Sequence, residues 1–464
     1  MTTLTAAFAQ AAAKYHDRTA LIDADGTAYR FAQLQGRADA YAAAWHNKGV
    51  RPGDRVLLAM GIGVDLYASL AALWSLGASV VLPEPAMGLA GVKTAIAATQ
   101  PKFLCAAGPY RWIKLLLPGL WRTKLLTPGQ SGTGDVPMPV TEPDSIALIS
   151  FTSGTTGTPK AIPRSHAFLM AQWKAVAPLL QSDRDETDLV TFPVFVLINL
   201  AEGRMSVLPN WNMSKLGAVA PQALVDWISQ NNCTRALLPP VLCEKLLEAR
   251  HTGTLRHILT GGGPVFPDIV QGLQKTTQGL SVTTVYGSTE AEPIAHAHHT
   301  EQGHGLYVGH PVDAVQLRIV DDEIQVAGDH VNSGYLDPAR DAETKIRDGD
   351  TIWHRTGDAG RLDEDGQLWL LGRIGEQVRT ENGVQYPFAV ETTARLWPGV
   401  IRAALIELND RATLIVEGDA SQCVRWQTAA QDLGISDVRH IAAIPRDKRH
   451  HSKIDRNALR ALLK

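Results

Sequence analysis

Cysteine, excess charge of either sign and clean apolar runs are all scarce in this chain. Four cysteines (Cys105, Cys233, Cys243, Cys423) occur in 464 residues. They show no paired metal-ligand spacing and are too few for a disulfide framework, which points to a reduced, cytoplasmic compartment. Lys plus Arg number 44 against 47 Asp plus Glu, a net charge of −3. Such a balance gives no electrostatic reason to hold nucleic acid. The longest apolar stretch, Val64 to Leu82, is broken by Asp65, Ser69, Ser75 and Gly77. A membrane span needs about 20 clean apolar residues, so a helix followed by a buried strand is expected instead, and not an integral membrane protein. The N-terminus lacks a basic region and an apolar core, so it is no secretory signal; it reads as an amphipathic helix ending near Tyr15.

What is present describes a large globular protein. Apolar residues make up 45% and charged residues 20%, and the length fits roughly three domains or subdomains at about 150 residues each. Apolar runs at Arg55–Met60, Ser79–Leu82, Lys102–Ala106, Ser145–Ser150, Asp188–Phe192, Arg235–Leu238, His257–Thr260 and Val282–Val285 predict strands buried on both faces. Their spacing leaves room for crossover helices. The expected fold is therefore α/β, a large N-terminal domain of helix-covered sheets over residues 1–372. Residues 373–464 read as a small α+β C-terminal domain. From Tyr110 to Leu126, Arg111, Lys114, Arg122 and Lys124 alternate with Trp112, Trp121 and leucines. A packed helix with solvated basic residues is the favoured reading, and a basic amphipathic surface against anionic lipid is the other.

The strongest local signal is Thr152-Ser-Gly-Thr-Thr-Gly-Thr-Pro-Lys160, directly after the strand SIALIS. Gly154 and Gly157 let the backbone approach a ligand without a Cβ collision. The hydroxyls of Thr152, Ser153, Thr155 and Thr156, with exposed N–H groups, offer donors to phosphate oxygens, and Lys160 adds positive charge. This is not a Walker A loop, whose Gly-x4-Gly-Lys-Ser/Thr spacing is absent, so a P-loop kinase or ATPase is disfavoured.

This loop resembles the signature of the adenylate-forming superfamily of acyl-CoA synthetases, amino-acid adenylation domains and luciferases. Other motifs follow in the same order. Thr260-Gly261-Gly262-Gly263-Pro264 resembles the glycine turn beside the adenine pocket. Tyr286-Gly287-Ser288-Thr289-Glu290 resembles the motif in which the aromatic ring stacks on adenine, the Thr hydroxyl meets the α-phosphate and the Glu holds Mg²⁺. His354-Arg-Thr-Gly-Asp358 resembles the motif whose Asp grips the ribose hydroxyls, and Gly372-Arg373 the junction whose Arg reaches the ribose. Ser452-Lys453-Ile-Asp-Arg456 resembles the C-terminal motif with the catalytic Lys. The resemblance spans residues 152 to 456 and implies an enzyme, an AMP-forming synthetase that uses ATP and Mg²⁺ to activate a carboxylic acid.

Each assignment has a physical reason. Adenylation brings a carboxylate against the α-phosphate, and negative charge gathers on the phosphoryl oxygens and the departing pyrophosphate. A Lys453 point charge lowers that barrier electrostatically. A hard cation between phosphates needs a carboxylate such as Glu290, and a ribose diol is read by a carboxylate such as Asp358. Lys453 lies some 300 residues beyond the phosphate loop, so a small mobile domain must close on the large one, with a hinge near Gly372–Gly375.

Two departures narrow the family. Gly375 stands where many members carry an acid, and Arg379-Thr-Glu-Asn-Gly-Val-Gln-Tyr-Pro-Phe388 lacks the Lys-x-x-Gly-x-Arg pattern of the pantetheine tunnel. The second weighs against transfer to CoA. Glu84-Pro-Ala-Met-Gly88, Thr191-Phe-Pro-Val-Phe195 and Asp447-Lys-Arg-His-His-Ser-Lys453 are similar to segments of the olefin-biosynthesis β-lactone synthetases. That likeness implies a fatty or β-hydroxy fatty acid substrate, lactone closure by its own hydroxyl, and other enzymes of the same pathway as partners. An AMP-forming acyl-CoA synthetase is the alternative, and a non-catalytic nucleotide or acyl binder a third. Phe192, Phe195, Val196, Leu197, Ile198 and Met205 read either as acyl pocket or as ordinary core. His296, His298, His299 and His304 lack metal-ligand spacing and read as a solvated loop.

Overall fold

The computed structural model describes residues 3–83, 87–132, 136, 139, 141–152, 159–447 and 452–463. Two sheets carry most of it. In the smaller, the strands run in the order Lys124–Leu126, Phe103–Ala106, Arg55–Ala59, Ser79–Val81, Ile146–Thr152 and Lys160–Ser165. All pair in parallel except the last two, which are antiparallel. The larger sheet has 14 strands. Its parallel part contains Thr19–Ile22, Met205–Val207, Thr187–Val190, Arg235–Leu238, His257–Gly261 and Ser281–Ser288; the antiparallel edge strand Ala28–Arg30 and antiparallel strands from Ala291–Ala297 onward complete it.

Side-chain alternation builds the layers. Leu58, Val80 and Phe103 of the smaller sheet and Val190, Leu237 and Leu259 of the larger share one core with the helices Phe31–Asn47, Val64–Ser75, His166–Val176 and Pro193–Glu202. Their sequence neighbours Leu57, Val81 and Leu104 point to the opposite face, where Ala95, Ile96, Leu117 and Leu120 cover them. Leu189, Ala236, Leu238 and Ile258 likewise face Leu224, Ile228, Leu242, Leu246 and Ile269. Successive strand residues on opposite faces, both apolar, mean a sheet covered twice. Helices Pro193–Glu202, Pro221–Gln230, Pro240–Ala249, Pro267–Thr276 and Pro387–Ala394 all start on proline. That residue suits the first helical position, where no N–H partner exists.

The C-terminal part is a three-stranded sheet, Val400–Leu408, Arg411–Gly418 and Asp437–His440. Helices Pro387–Ala394 and Cys423–Gln431 pack on one face through Val390, Trp426 and Ala430, and Arg456–Leu463 on the other through Leu459. Arg395 grips Asp268 with two bonds of 2.9 and 2.7 Å, and Arg402 and Arg446 both reach Glu244. These pairs tie the small domain to the large one. Among the described residues no helix is long and apolar enough to cross a membrane.

Two sequence expectations are corrected. Tyr110–Leu126 is not one packed helix: it forms two short 3-10 turns, a single helical turn Ile113–Leu116 and a strand Lys124–Leu126. Pro118 and Gly119 interrupt any longer helix. His296 is not in a loop but on the strand Ala291–Ala297.

One buried pair anchors the larger sheet. Arg235 bonds Asp188 bidentately at 2.8 Å, on adjacent parallel strands, with relative exposures of 1% and 0%. Asp188→Ala strands a buried guanidinium, and denaturant unfolding is expected to report a loss of about 3–5 kcal/mol. A loss below about 1 kcal/mol contradicts that account.

Candidate active site

One cavity of about 1350 Å³ opens beyond the C-terminal ends of the parallel strands, the usual ligand position in open α/β sheets. It exceeds an ordinary small-ligand pocket of roughly 300–1,000 Å³, leaving room for two reactants. Its walls include Thr152, Lys160, Gly262, Gly263, Tyr286, Gly287, Ser288, Thr289, Glu290, Asp358, Arg373 and Lys453. Six motifs far apart in sequence thus meet at one place. Ser153, Gly154, Thr155, Thr156 and Gly157 lie outside the described residues, as do Glu84–Ala86 and 448–451.

The ends of the phosphate loop are held by pairing. Thr152 and Lys160 face each other across the antiparallel strands Ile146–Thr152 and Lys160–Ser165. Four residues along, Arg164 is buried and donates at 2.7 Å to the Thr289 carbonyl. That bond ties the phosphate-loop hairpin to the turn carrying Thr289 and Glu290. The buried hydroxyls of Ser150, Thr152, Thr284 and Ser288 have no protein partner among the described residues, and all four residues line the cavity. Buried polar atoms are normally bonded, so these are available to a polar ligand.

The ribose-binding candidates form a compact trio. Asp358 and Arg373 are register partners on the strands Thr351–Leu362 and Leu368–Arg373. Arg373 donates to Asp358 Oδ1 at 2.8 Å, and Tyr286 Oη donates to Asp358 Oδ2 at 2.9 Å. Burial, with Asp358 alongside, raises the Tyr286 phenol well above its ordinary value, which keeps it a proton donor. Gly357 has φ +71°, and a Cβ there would stand 3.0 Å from the Arg373 guanidinium. A side chain at that position displaces the arginine from its carboxylate.

Glu290 accepts from Tyr335 Oη at 3.2 Å. Two ammonium groups, Lys160 Nζ and Lys345 Nζ, each lie 5.2 Å from the Tyr335 ring centroid. Lys160 pairs with Glu343 at 2.7 Å. Lys345 donates to the Asn332 carbonyl and to His354 Nδ1. Burial lowers the Lys345 pKa to about 8, while Glu290 and Asp341 oppose that shift. Burial, then Lys345, holds His354 down to about 3, so its ring is neutral and accepts. Among the described residues no three His, Cys, Asp or Glu side chains converge on a metal position. The site therefore suits a cation that takes one protein carboxylate, from Glu290, and fills its shell with phosphate oxygens and water, as Mg²⁺ does.

Lys453 reaches the cavity because the tail packs on the glycine turn. A Cβ on Gly263 would stand 2.8 Å from Ser452 Cβ. Asp447 Oδ1 accepts from the N–H groups of Ser452 at 3.1 Å and Lys453 at 2.9 Å. Behind them Arg456 bonds Glu376 at 3.1 Å, the fully buried Glu391 at 2.7 Å and the Leu405 carbonyl at 3.0 Å. Gly262 has φ +78° and sits against Phe192, while Gly261 closes the strand beside the Val285 carbonyl.

The weakest sequence expectation divides in two. Phe192 lines the cavity with Val194 and Leu197, but Phe195 and Val196 do not. Helical periodicity turns Phe195, Val196 and Ile198 into the core, at 5%, 0% and 2% exposure. Sequence reasoning also missed Arg164, Tyr335 and Lys345. No local pattern marks Lys345, a lysine on a four-residue strand.

A nucleotide-dependent carboxylate-activating site on a two-domain α/β scaffold is the class these features define. A family model described as AMP-binding enzyme matches residues 8–336, and the chain belongs to that family. It is an AMP-forming, carboxylate-activating ligase that uses ATP and Mg²⁺. The chain is 28% identical to an olefin β-lactone synthetase of Stenotrophomonas maltophilia, over 92% of this chain and 90% of the relative. It is 29% identical to a 2-succinylbenzoate–CoA ligase of Geobacillus kaustophilus, over 81% and 79%. An amide bond synthetase of Marinactinospora thermotolerans shares the fold with a TM-score of 0.82, at 22% identity and 99% and 100% coverage.

Proposed function

We propose that this ligase activates a fatty acid, and that an acid carrying a β-hydroxyl is closed to a β-lactone. The carboxylate oxygen attacks the α-phosphorus of ATP, the bond to pyrophosphate breaks, and acyl-AMP results. The substrate's β-hydroxyl oxygen then attacks the acyl carbon, loses its proton and expels AMP. A tethered nucleophile and a good acyl donor offset the ring strain. Lys453 supplies charge at the phosphoryl oxygens, Thr289 donates to the α-phosphate, and Asp358, Arg373 and Tyr286 seat the nucleoside. Glu290 holds Mg²⁺, which when bound neutralises charge between the phosphates. Residues 373–464 act as a lid on 1–372. The four cysteines are unpaired and suit the cytoplasm.

The observation that carries the acyl reading is one shared cavity. The cavity that holds Glu290 and Lys453 also has an apolar arm walled by Leu58, Met60, Leu66, Leu70 and Leu148, all on one face of the smaller sheet. An alkyl chain in that arm and a carboxylate at the phosphates satisfy both ends. The relative named as a β-lactone synthetase supports the second half-reaction, and the one named as a CoA ligase supports transfer to CoA. Incubation with ATP, Mg²⁺ and long-chain acids, with and without a β-hydroxyl and with and without CoA, separates the two. Mass spectrometry is expected to detect a product one water lighter than the 3-hydroxy acid, formed equally well without CoA. A CoA-dependent thioester from the plain acid would overturn lactone closure.

A further inference from the structure

We propose that the face built by Leu89 and residues 110–124 seats the protein on an anionic lipid surface, with cavity walls at its edge. Four large apolar side chains project there: Trp112, Leu115, Leu116 and Trp121 are 60%, 67%, 64% and 62% exposed. They are held in that pose. Leu117 and Leu120, between them, are 1% and 0% exposed and belong to the core beneath the smaller sheet. Lys114 Nζ closes the loop by donating to the Thr123 carbonyl at 2.6 Å. Anchored backbone with outward indoles and leucines is the arrangement that enters the headgroup region of a bilayer.

Charge selects the occupant. From residue 85 to residue 134 the chain has no Asp or Glu, yet it carries Lys93, Lys102, Arg111, Lys114, Arg122 and Lys124. Among the described residues, Lys102 is the one of these with an acidic partner, Asp54. A chain with net charge −3 thus has six cations and no acid in the segment that carries its most exposed aromatic residues, Trp112 and Trp121. Two copies meeting through this face would bring like charges together, and lysine is disfavoured in the centre of protein interfaces. An anionic membrane accepts both components at once: phosphate groups for the cations, acyl chains for Trp and Leu.

The cavity ties this surface to the reaction. Leu89 and Tyr110 are 54% and 42% exposed, and both are also cavity walls, with Val92 and Ile113 just inside. A hydrocarbon substrate partitioned in the bilayer then meets apolar walls of the cavity as it leaves the lipid. This last part rests on the acyl reading of the site, whereas seating on the membrane does not.

Flotation of the full chain with vesicles tests the proposal. Vesicles of phosphatidylcholine plus phosphatidylglycerol are expected to carry up at least about tenfold more protein than phosphatidylcholine alone, and high salt is expected to reverse this. The variant Trp112→Ser/Leu115→Ser/Leu116→Ser/Trp121→Ser is expected to lose the binding while keeping pyrophosphate exchange with a short, water-soluble acid. Equal recovery with both vesicle types, or undiminished binding by the variant, would overturn it. So would sedimentation showing that the patch instead joins two copies, with no protein on vesicles. Flotation requires no turnover, so failure of the acyl reading leaves its result intact.

Discussion

Lys453→Ala is expected to lower pyrophosphate exchange about 10²–10³-fold, the size of effect seen when one preorganised charge or donor is withdrawn from a developing anion. The side chain is exposed, so thermal stability is expected to stay within about 0.5 kcal/mol of the parent. Its position depends on Asp447, which accepts from two consecutive tail amides, and on the Arg456–Glu391 pair behind them. Chemically prepared acyl-AMP separates the half-reactions: the variant is expected to consume it at close to the parent rate. Exchange within about threefold of the parent would remove Lys453 from the adenylation step.

Asp358→Ala attacks the other end of the nucleotide. Loss of its carboxylate removes the acceptor shared by Tyr286 and Arg373 and leaves the partly buried guanidinium unpaired. Hydrogen bonds to a charged group contribute roughly 1.5–3 kcal/mol each, so KM for ATP is expected to rise about 10–100-fold. The parent is expected to discriminate ATP from 2′-deoxy-ATP, and the variant to treat the two alike. If the variant still prefers the ribonucleotide, Asp358 does not read the ribose. The analogous change at Gly357 is expected to act through Arg373, because any Cβ there presses on its guanidinium.

Most of the strands and the motif order were legible in the sequence because each depends on local chemistry. Val56, Leu57 and Leu58 form an apolar run that only a doubly covered strand accommodates. The motifs at Thr152, Gly261, Tyr286, Asp358 and Lys453 carry residue types that few other roles require together. Phe195 and Val196 were misplaced because a pocket wall and a core have the same composition, and only helix rotation separates them from Val194 and Leu197. The Tyr110–Leu126 segment misled for a related reason: amphipathic spacing was present, but Pro118 and Gly119 prevented a helix that would bury it.

By itself the sequence determined that this chain builds doubly covered sheets and carries the side chains for handling a nucleotide and a carboxylate. Those properties follow from hydrophobic periodicity and from residue chemistry, both written within a few positions of one another. Tertiary structure alone decided that Tyr335 meets Lys160, Lys345 and Glu290, and that Arg164 braces Thr289 from a separate strand. It also decided which leucines line the cavity and which aromatic residues face outward. Such contacts join residues far apart in the chain, and the distances that define them exist only once the sheets have paired and the helices have packed between them.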